Sequence, residues 1–226
     1  MAEQLGFDLP GVPALGRADF LVAPSNAVAI AMIERWQSWS GRKLLLSGPE
    51  GAGKTHLTQV WAGLSGAQVI DASGLENADV PALAAGHVAV EDVHSIAGDP
   101  AAQTALFHLH NMVLAEGNAL LLTGQGAPAH WGIALPDLAS RLTGTPTAML
   151  EPPDDALLAA ILAKLFSDRQ LTPKPDLIAY LVRRIDRSFA SARDIVAALD
   201  AASLARKRAI SRSLAATLLD KGGPSD

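Results

Sequence analysis

The chain has 226 residues, 49% of them hydrophobic and 18% charged, with a mean hydropathy of +0.22. That is enough apolar material for one large domain with a small satellite, and it excludes both a long multidomain machine and general disorder. The 18 Lys and Arg against 23 Asp and Glu leave a net charge of −5, which excludes a protein held on nucleic acid chiefly by its own positive field.

The chain opens on an arm, residues 1–17, in which Gln4 and the apolar Leu5, Phe7 and Leu9 sit between glycine and proline. Apolar side chains on such a segment fit a partner's groove, with packing on the parent domain as the alternative. It has no basic start and apolar stretch of a secretion signal. From residue 18 to 150, short apolar runs alternate with helical patterns, the rhythm of a parallel sheet covered on both faces. Strands are predicted at Lys43–Ser47, Gln68–Asp71, Val88–Asp92, Ala119–Thr123 and Thr147–Leu150. Helices are predicted at Asn26–Trp39, Lys54–Leu64, Ala101–Glu116 and Pro136–Leu142, the third carrying Leu106, Leu109 and Val113 at helical spacing. The fold class is therefore α/β, a small doubly wound sheet of five strands.

Glu151-Pro152-Pro153-Asp154 interrupts any regular element and marks a boundary. Before it lie 6 Lys and Arg against 13 Asp and Glu, a net −7; after it 12 against 10, a net +2. Residues 151–226 show no strand pattern. Asp154–Asp168, Pro175–Asp186, Ser191–Arg208 and Ser211–Asp220 read as amphipathic helices, the first with Leu157, Ile161, Leu162 and Leu165 on one stripe. A helical bundle follows the sheet. No apolar run approaches the roughly 20 residues of a membrane span, and the lack of cysteine excludes disulfides and thiolate metal sites, so the expected address is the cytoplasm.

Gly48-Pro49-Glu50-Gly51-Ala52-Gly53-Lys54-Thr55 satisfies the P-loop pattern between a predicted strand and a predicted helix. Its glycines let backbone N–H groups turn inward around an anion, and the helix N-terminus adds partial positive charge. Lys54 would neutralise β- and γ-phosphates and Thr55 would offer its hydroxyl to Mg²⁺. About 40 residues on, Val88-Ala89-Val90-Glu91-Asp92 is an apolar strand ending in two acids, a Walker B arrangement. The usual order places Asp first; here Glu91 precedes the shorter Asp92. A base displaced by about 1 Å can lose roughly 100-fold in rate, so intrinsic hydrolysis is expected to be slow.

Thr123 or Gln125, after a further strand, would supply a polar group near the γ-phosphate, or would simply be a strand-to-loop transition. Arg141 is the sole basic residue between Lys54 and Lys164, which suits a finger donated to a neighbour's nucleotide as well as it suits a surface arginine. Arg193 begins a helix from which it would reach back to bound phosphate, a surface salt bridge being the alternative. The histidines, His56 included, show no ligand spacing beside a third donor, so no metal is expected beyond Mg²⁺ carried by nucleotide. Arg206-Lys207-Arg208 reads as a solvated helix end.

In order, the P-loop, the paired acids, Leu135-Pro136-Asp137-Leu138-Ala139-Ser140-Arg141-Leu142, the Glu-Pro-Pro-Asp hinge and Ala192-Arg193-Asp194-Ile195 resemble the AAA+ module of the Hda/DnaA-related family over residues 18–220. Ile96-Ala97-Gly98-Asp99-Pro100 resembles the short Hda branch. The resemblance implies a P-loop AAA+ sheet followed by an all-α lid, ADP or ATP with Mg²⁺ as ligand, and a cofactor-binding set of Gly48 to Thr55 with His56, Gln125 and Arg193. It implies Arg141 as the arginine finger, Arg193 as the lid arginine, Gln125 at a sensor position, and Glu91 with Thr55 beside the metal. It further implies that Gln4 to Leu9 docks on the DNA sliding clamp, and that the partner is the replication initiator DnaA without a DNA-binding domain in this chain. Gln125 and Glu91 depart from the initiator's pattern, which favours a nucleotide-bound regulator. A self-sufficient ATPase and a nucleotide-independent adaptor are the rivals, and monomer, dimer and filament stay open.

Overall fold

The computed structural model describes residues 21–206 and 209–221. Five parallel strands, β1 (Lys43–Ser47), β2 (Gln68–Asp71), β3 (Val88–Glu91), β4 (Leu120–Gly124) and β5 (Thr147–Met149), form one sheet in the order β2-β3-β4-β1-β5. Every connection between consecutive strands contains a helix: α2 (Lys54–Ser65), α3 (Val80–Ala84), α4 (Pro100–Ala115) and α5 (Pro136–Thr143). The two-residue alternation of β1 assigns the faces. Leu45 points into a core shared with Leu106, Leu109 and Val113 of α4 and Leu138 and Leu142 of α5. Leu44 and Leu46 point the other way, onto α1 (Ala27–Glu34) and onto Leu57, Val60 and Trp61 of α2. Strands covered on both faces must be apolar throughout, and residues 44 to 46 are three leucines for that reason.

The second helical unit comprises α6 (Asp155–Asp168), α7 (Pro175–Val182), α8 (Phe189–Arg206) and α9 (Arg212–Lys221). They enclose a separate core of Leu157, Leu158, Leu162, Phe166, Leu181, Val196 and Leu199. Leu21 and Ala23, ahead of the sheet in sequence, pack against this helical core and so tie the two units together.

The predicted helix over Asn26–Trp39 stops at Glu34, and a 3-10 turn covers Trp36–Ser38. The Trp39 indole Nε1 donates to Met32 O at 2.7 Å, which folds the chain back across the helix end. The predicted Pro175–Asp186 helix ends at Val182. The next helix starts at Phe189, just after Ser188, whose Oγ accepts the Ser191 N–H at 3.0 Å. The short α3 and the 3-10 turns at Ala72–Asn77 and Val93–Gly98 carry too few residues to show periodicity and were not anticipated. Among the described residues no helix is long and apolar enough to cross a membrane.

Candidate nucleotide cleft

β1 ends at Ser47 and α2 begins at Lys54, so residues 48 to 53 form a loop at the carboxyl end of the sheet. A Cβ on Gly48 would stand 2.7 Å from Leu150 O, so only glycine lets the loop leave beside the residue that follows β5. Gly51 has φ +71°, and a Cβ there would meet Ser188 Cβ of the helical unit. The Phe189 N–H also donates to Gly51 O at 2.8 Å, so the P-loop is in direct backbone contact with the start of α8. Pro49 O accepts from Ala52 N, while Ala52 itself is buried in the α1/α2 core.

The Lys54 ammonium donates to Gly48 O and Pro49 O, each at 2.9 Å. Burial pushes its pKa down, opposed by the negative charges of Asp92, Glu50 and Glu91. Around it opens a cleft of about 860 Å³ between sheet and helical unit. Glu50, Thr55, His56, Asp92, Gln125 and Arg193 all line it. Its far wall carries the apolar Leu21, Ile161, Leu165 and Phe189 beside the Lys164–Asp168 ion pair. Arg193 is largely exposed, and its carboxylate neighbour is the adjacent Asp194 at 3.8 Å, so its charge remains available to the cleft.

The two acids of β3 part company. Glu91 is partly buried beneath the start of α2, with its Oε1 lacking a hydrogen-bond partner; burial raises its pKa, the Thr55 hydroxyl opposes this, and the charges of Asp92 and Asp71 add to the rise. Asp92 lines the cleft with φ +53°, a left-handed backbone that aspartate, like asparagine, adopts more readily than most residues other than glycine. The Asp92 N–H donates to Thr123 Oγ1 at 3.0 Å. Thr123, inside β4, is therefore a buried tie to the residue that follows β3, and of the two candidates it is Gln125, just after β4, that faces the cleft.

Asp71 was missed in the sequence. It ends β2, lies in register with Glu91 across the β2–β3 pair, and lines the same cleft. Acids at the carboxyl ends of adjacent parallel strands converge, a signal available once strand order is known. Among the described residues no group of three His, Cys, Asp or Glu side chains is arranged to hold a metal by itself. The glycine-shaped loop, the lysine turned into it and the first N–H groups of α2, which have no acceptor within the helix, fit a nucleotide diphosphate; Thr55 and Asp92 fit its accompanying cation.

Arg141 is not part of the cleft. It lies on α5 with its guanidinium 5.0 Å from the centre of the Phe107 ring, at the end of the sheet where β1 starts. Gln103 of α4, which sequence reading also passed over, fixes the approach to that helix. Its Nε2 donates to Ile96 O (2.9 Å) and Ala97 O (2.8 Å), and its Oε1 accepts from Ala134 N and Leu135 N, both at 3.0 Å. Gln4, Leu5, Phe7 and Leu9 lie outside the described residues.

No protein-family model matches the chain. An uncharacterized protein of Haemophilus influenzae is 29% identical to it over 175 residues, covering 71% of this chain and 74% of that protein. Domain III of the Thermotoga maritima replication initiation protein DnaA superposes with a TM-score of 0.78 at 20% identity, covering 92% of this chain and 97% of the domain. A replication initiator DnaA bound to AMPPCP and single-stranded DNA superposes with a TM-score of 0.70 at 20% identity, over 86% of this chain and 68% of that one. At such identity the likeness is one of architecture, and the chain has the α/β P-loop AAA+ fold that DnaA domain III displays.

Proposed function

We propose that the chain is a nucleotide-bound AAA+ regulator of replication initiation which, with the sliding clamp, stimulates ATP hydrolysis by DnaA. The observation that carries this reading is the location of Arg141. A half-buried arginine outside its own chain's cleft, stacked on Phe107 and without a carboxylate in ion-pair reach among the described residues, supports a role in meeting charge on another molecule. Stabilising the charge that develops on a transferring phosphoryl group is the chemistry such a residue supplies, worth about 10³ to 10⁵ in rate.

In this reading the cleft holds ADP or ATP and keeps it. Lys54 and the P-loop amides hold the phosphates, Leu21, Ile161, Leu165 and Phe189 exclude water from the base, and Arg193 brings the helical lid, residues 151–226, onto the core. Mg²⁺ would screen the phosphate charge. Thr55 and Asp92, which line the cleft, would hold it, with Glu91 set back from the cleft behind them. The AMPPCP of the DnaA relative supports nucleotide in the corresponding fold. The arm, residues 1–17, supplies the clamp contact through Gln4, Leu5, Phe7 and Leu9.

The test is a reconstituted assay with clamp, clamp-bound DNA and ATP-loaded DnaA. Arg141→Ala should reduce stimulated hydrolysis by about 10³-fold while ADP affinity stays unchanged, and Gln4→Ala with Leu5→Ala should abolish stimulation by weakening clamp binding. Wild-type stimulation by Arg141→Ala refutes the finger. The second reading, a self-sufficient ATPase, draws on Asp92 lining the cleft beside Lys54; appreciable turnover by the isolated chain, lost in Asp92→Asn, would favour it.

A further inference from the structure

The core's positive charge is sorted by position. Between residues 21 and 150 the chain has five Lys and Arg: Arg35, Arg42, Lys43, Lys54 and Arg141. Lys54 belongs to the P-loop. Lys43 is the first residue of β1, and Arg42 beside it donates from Nη1 to Gly117 O at 3.2 Å, another backbone partner and not a carboxylate. Arg35 and Lys43 line one surface hollow of about 390 Å³ with Met32, Trp39 and Pro146. A chain of contacts joins Lys43 to Arg141: Lys43 Nζ is 3.4 Å from His110 Nε2, His110 and Phe107 lie three residues apart on α4, and Phe107 carries the Arg141 guanidinium.

Among the described residues neither Lys43 nor Arg141 has a carboxylate in ion-pair reach. Two cations gathered without a counter-charge repel each other, and their proximity has to be offset elsewhere or by a bound anion. The strain registers in the neighbours. Burial and then the Arg141 charge push the Lys43 ammonium pKa down, and burial, Lys43 and Arg141 push His110 down to about 4. A neutral imidazole accepts the lysine's hydrogen bond and fixes its position without cancelling its charge. A carboxylate at position 110 would have cancelled it.

We propose that Lys43 is a second cation acting with Arg141, the two together receiving a phosphoryl group held on a neighbouring AAA+ chain, with His110 as the neutral prop of the lysine. The inference rests on the reading of Arg141 given above and adds a residue to it. The two groups divide the work by their chemistry: the planar guanidinium matches paired phosphoryl oxygens, and the compact ammonium supplies a point charge beside them.

The experiment uses the full chain with clamp and ATP-loaded DnaA, reading maximal stimulated rate and half-saturating concentration separately. Lys43→Gln should lower the maximal rate by roughly tenfold or more with the half-saturating concentration unchanged, and Lys43→Arg should retain most of it. The melting temperature of isolated Lys43→Gln should hold or rise, because like-charge repulsion is relieved. A wild-type maximal rate for Lys43→Gln, while Arg141→Ala has lost stimulation, overturns this inference and leaves the finger standing. If both variants stimulate normally, the finger reading falls with it. A shift confined to half-saturation would make Lys43 a docking contact for a partner's carboxylate, which also overturns the proposal.

Discussion

Two lysines stand at opposite ends of one strand and loop. Lys54 closes the P-loop beyond the carboxyl end of β1; Lys43 opens β1 itself. Burial depresses both pKa values. At Lys54 the depression is opposed by Asp92, Glu50 and Glu91, and at Lys43 it is deepened by Arg141. One end of the core thus balances its own charge. The other keeps an excess of positive charge that no described residue neutralises. On the function proposed above, the unbalanced end is the one whose electrostatics a second molecule would complete.

The largest expected effect is at Gln103, which ties together two loops at the cleft end of the sheet. Its amide links the turn after Asp92, where His94 and Ser95 line the cleft, to Leu135, the residue that caps α5. Gln103→Leu preserves volume and leaves two carbonyls and two N–H groups without this partner, costing about 4 kcal/mol of folding stability in a chemical-denaturation midpoint. A loss below about 1 kcal/mol would mean that water replaces the amide and the two loops are independently held. Next in size is acid sensitivity. His110 has its folded pKa lowered from 6.5 to about 4, so the native state binds fewer protons than the unfolded chain between those values. The stability of the neutral form is fully present above pH 6.5 and is lost as pH falls towards 4, by up to about 3 kcal/mol. In His110→Gln that component of the thermal-melt pH profile should disappear; an unchanged slope would place the acid response elsewhere.

The end described first was legible because its chemistry is contiguous in sequence. Residues 48 to 55 form the loop in order, and the three leucines of β1 and the acids after Val90 announce a buried parallel strand by composition. Arg193 and Gln125 also reach the cleft from distant elements. The second end was not legible, since Lys43, Phe107, His110 and Arg141 meet only through the packing of α4 and α5 against β1. One signal did exist. Gln103 and His110 occupy the same helical stripe as Leu106 and Val113, and a polar residue at a core position on an amphipathic helix asks what satisfies it. The roles of Thr123 and Glu91 were undetermined for a related reason: period-two alternation tells which face a strand residue takes but not which neighbouring element it bonds.

The smallest effect concerns Asp92, one of the three carboxylates that distinguish Lys54 from Lys43. Its φ of +53° would cost a β-branched residue about 1–2 kcal/mol, whereas Asn tolerates the left-handed region nearly as glycine does. The hydrogen bond that fixes the turn comes from its backbone N–H to Thr123, and its side chain is half exposed. Asp92→Asn should therefore change folding stability by less than about 0.5 kcal/mol, while Asp92→Val loses about 1–2 kcal/mol by the same denaturation measurement. Equal losses in the two variants would show that the carboxylate, and not the backbone, holds the strand end. With stability unchanged in Asp92→Asn, a fall in ATP turnover, should the isolated chain show any, reports the carboxylate's charge beside Lys54, which is the quantity that separates the two ends.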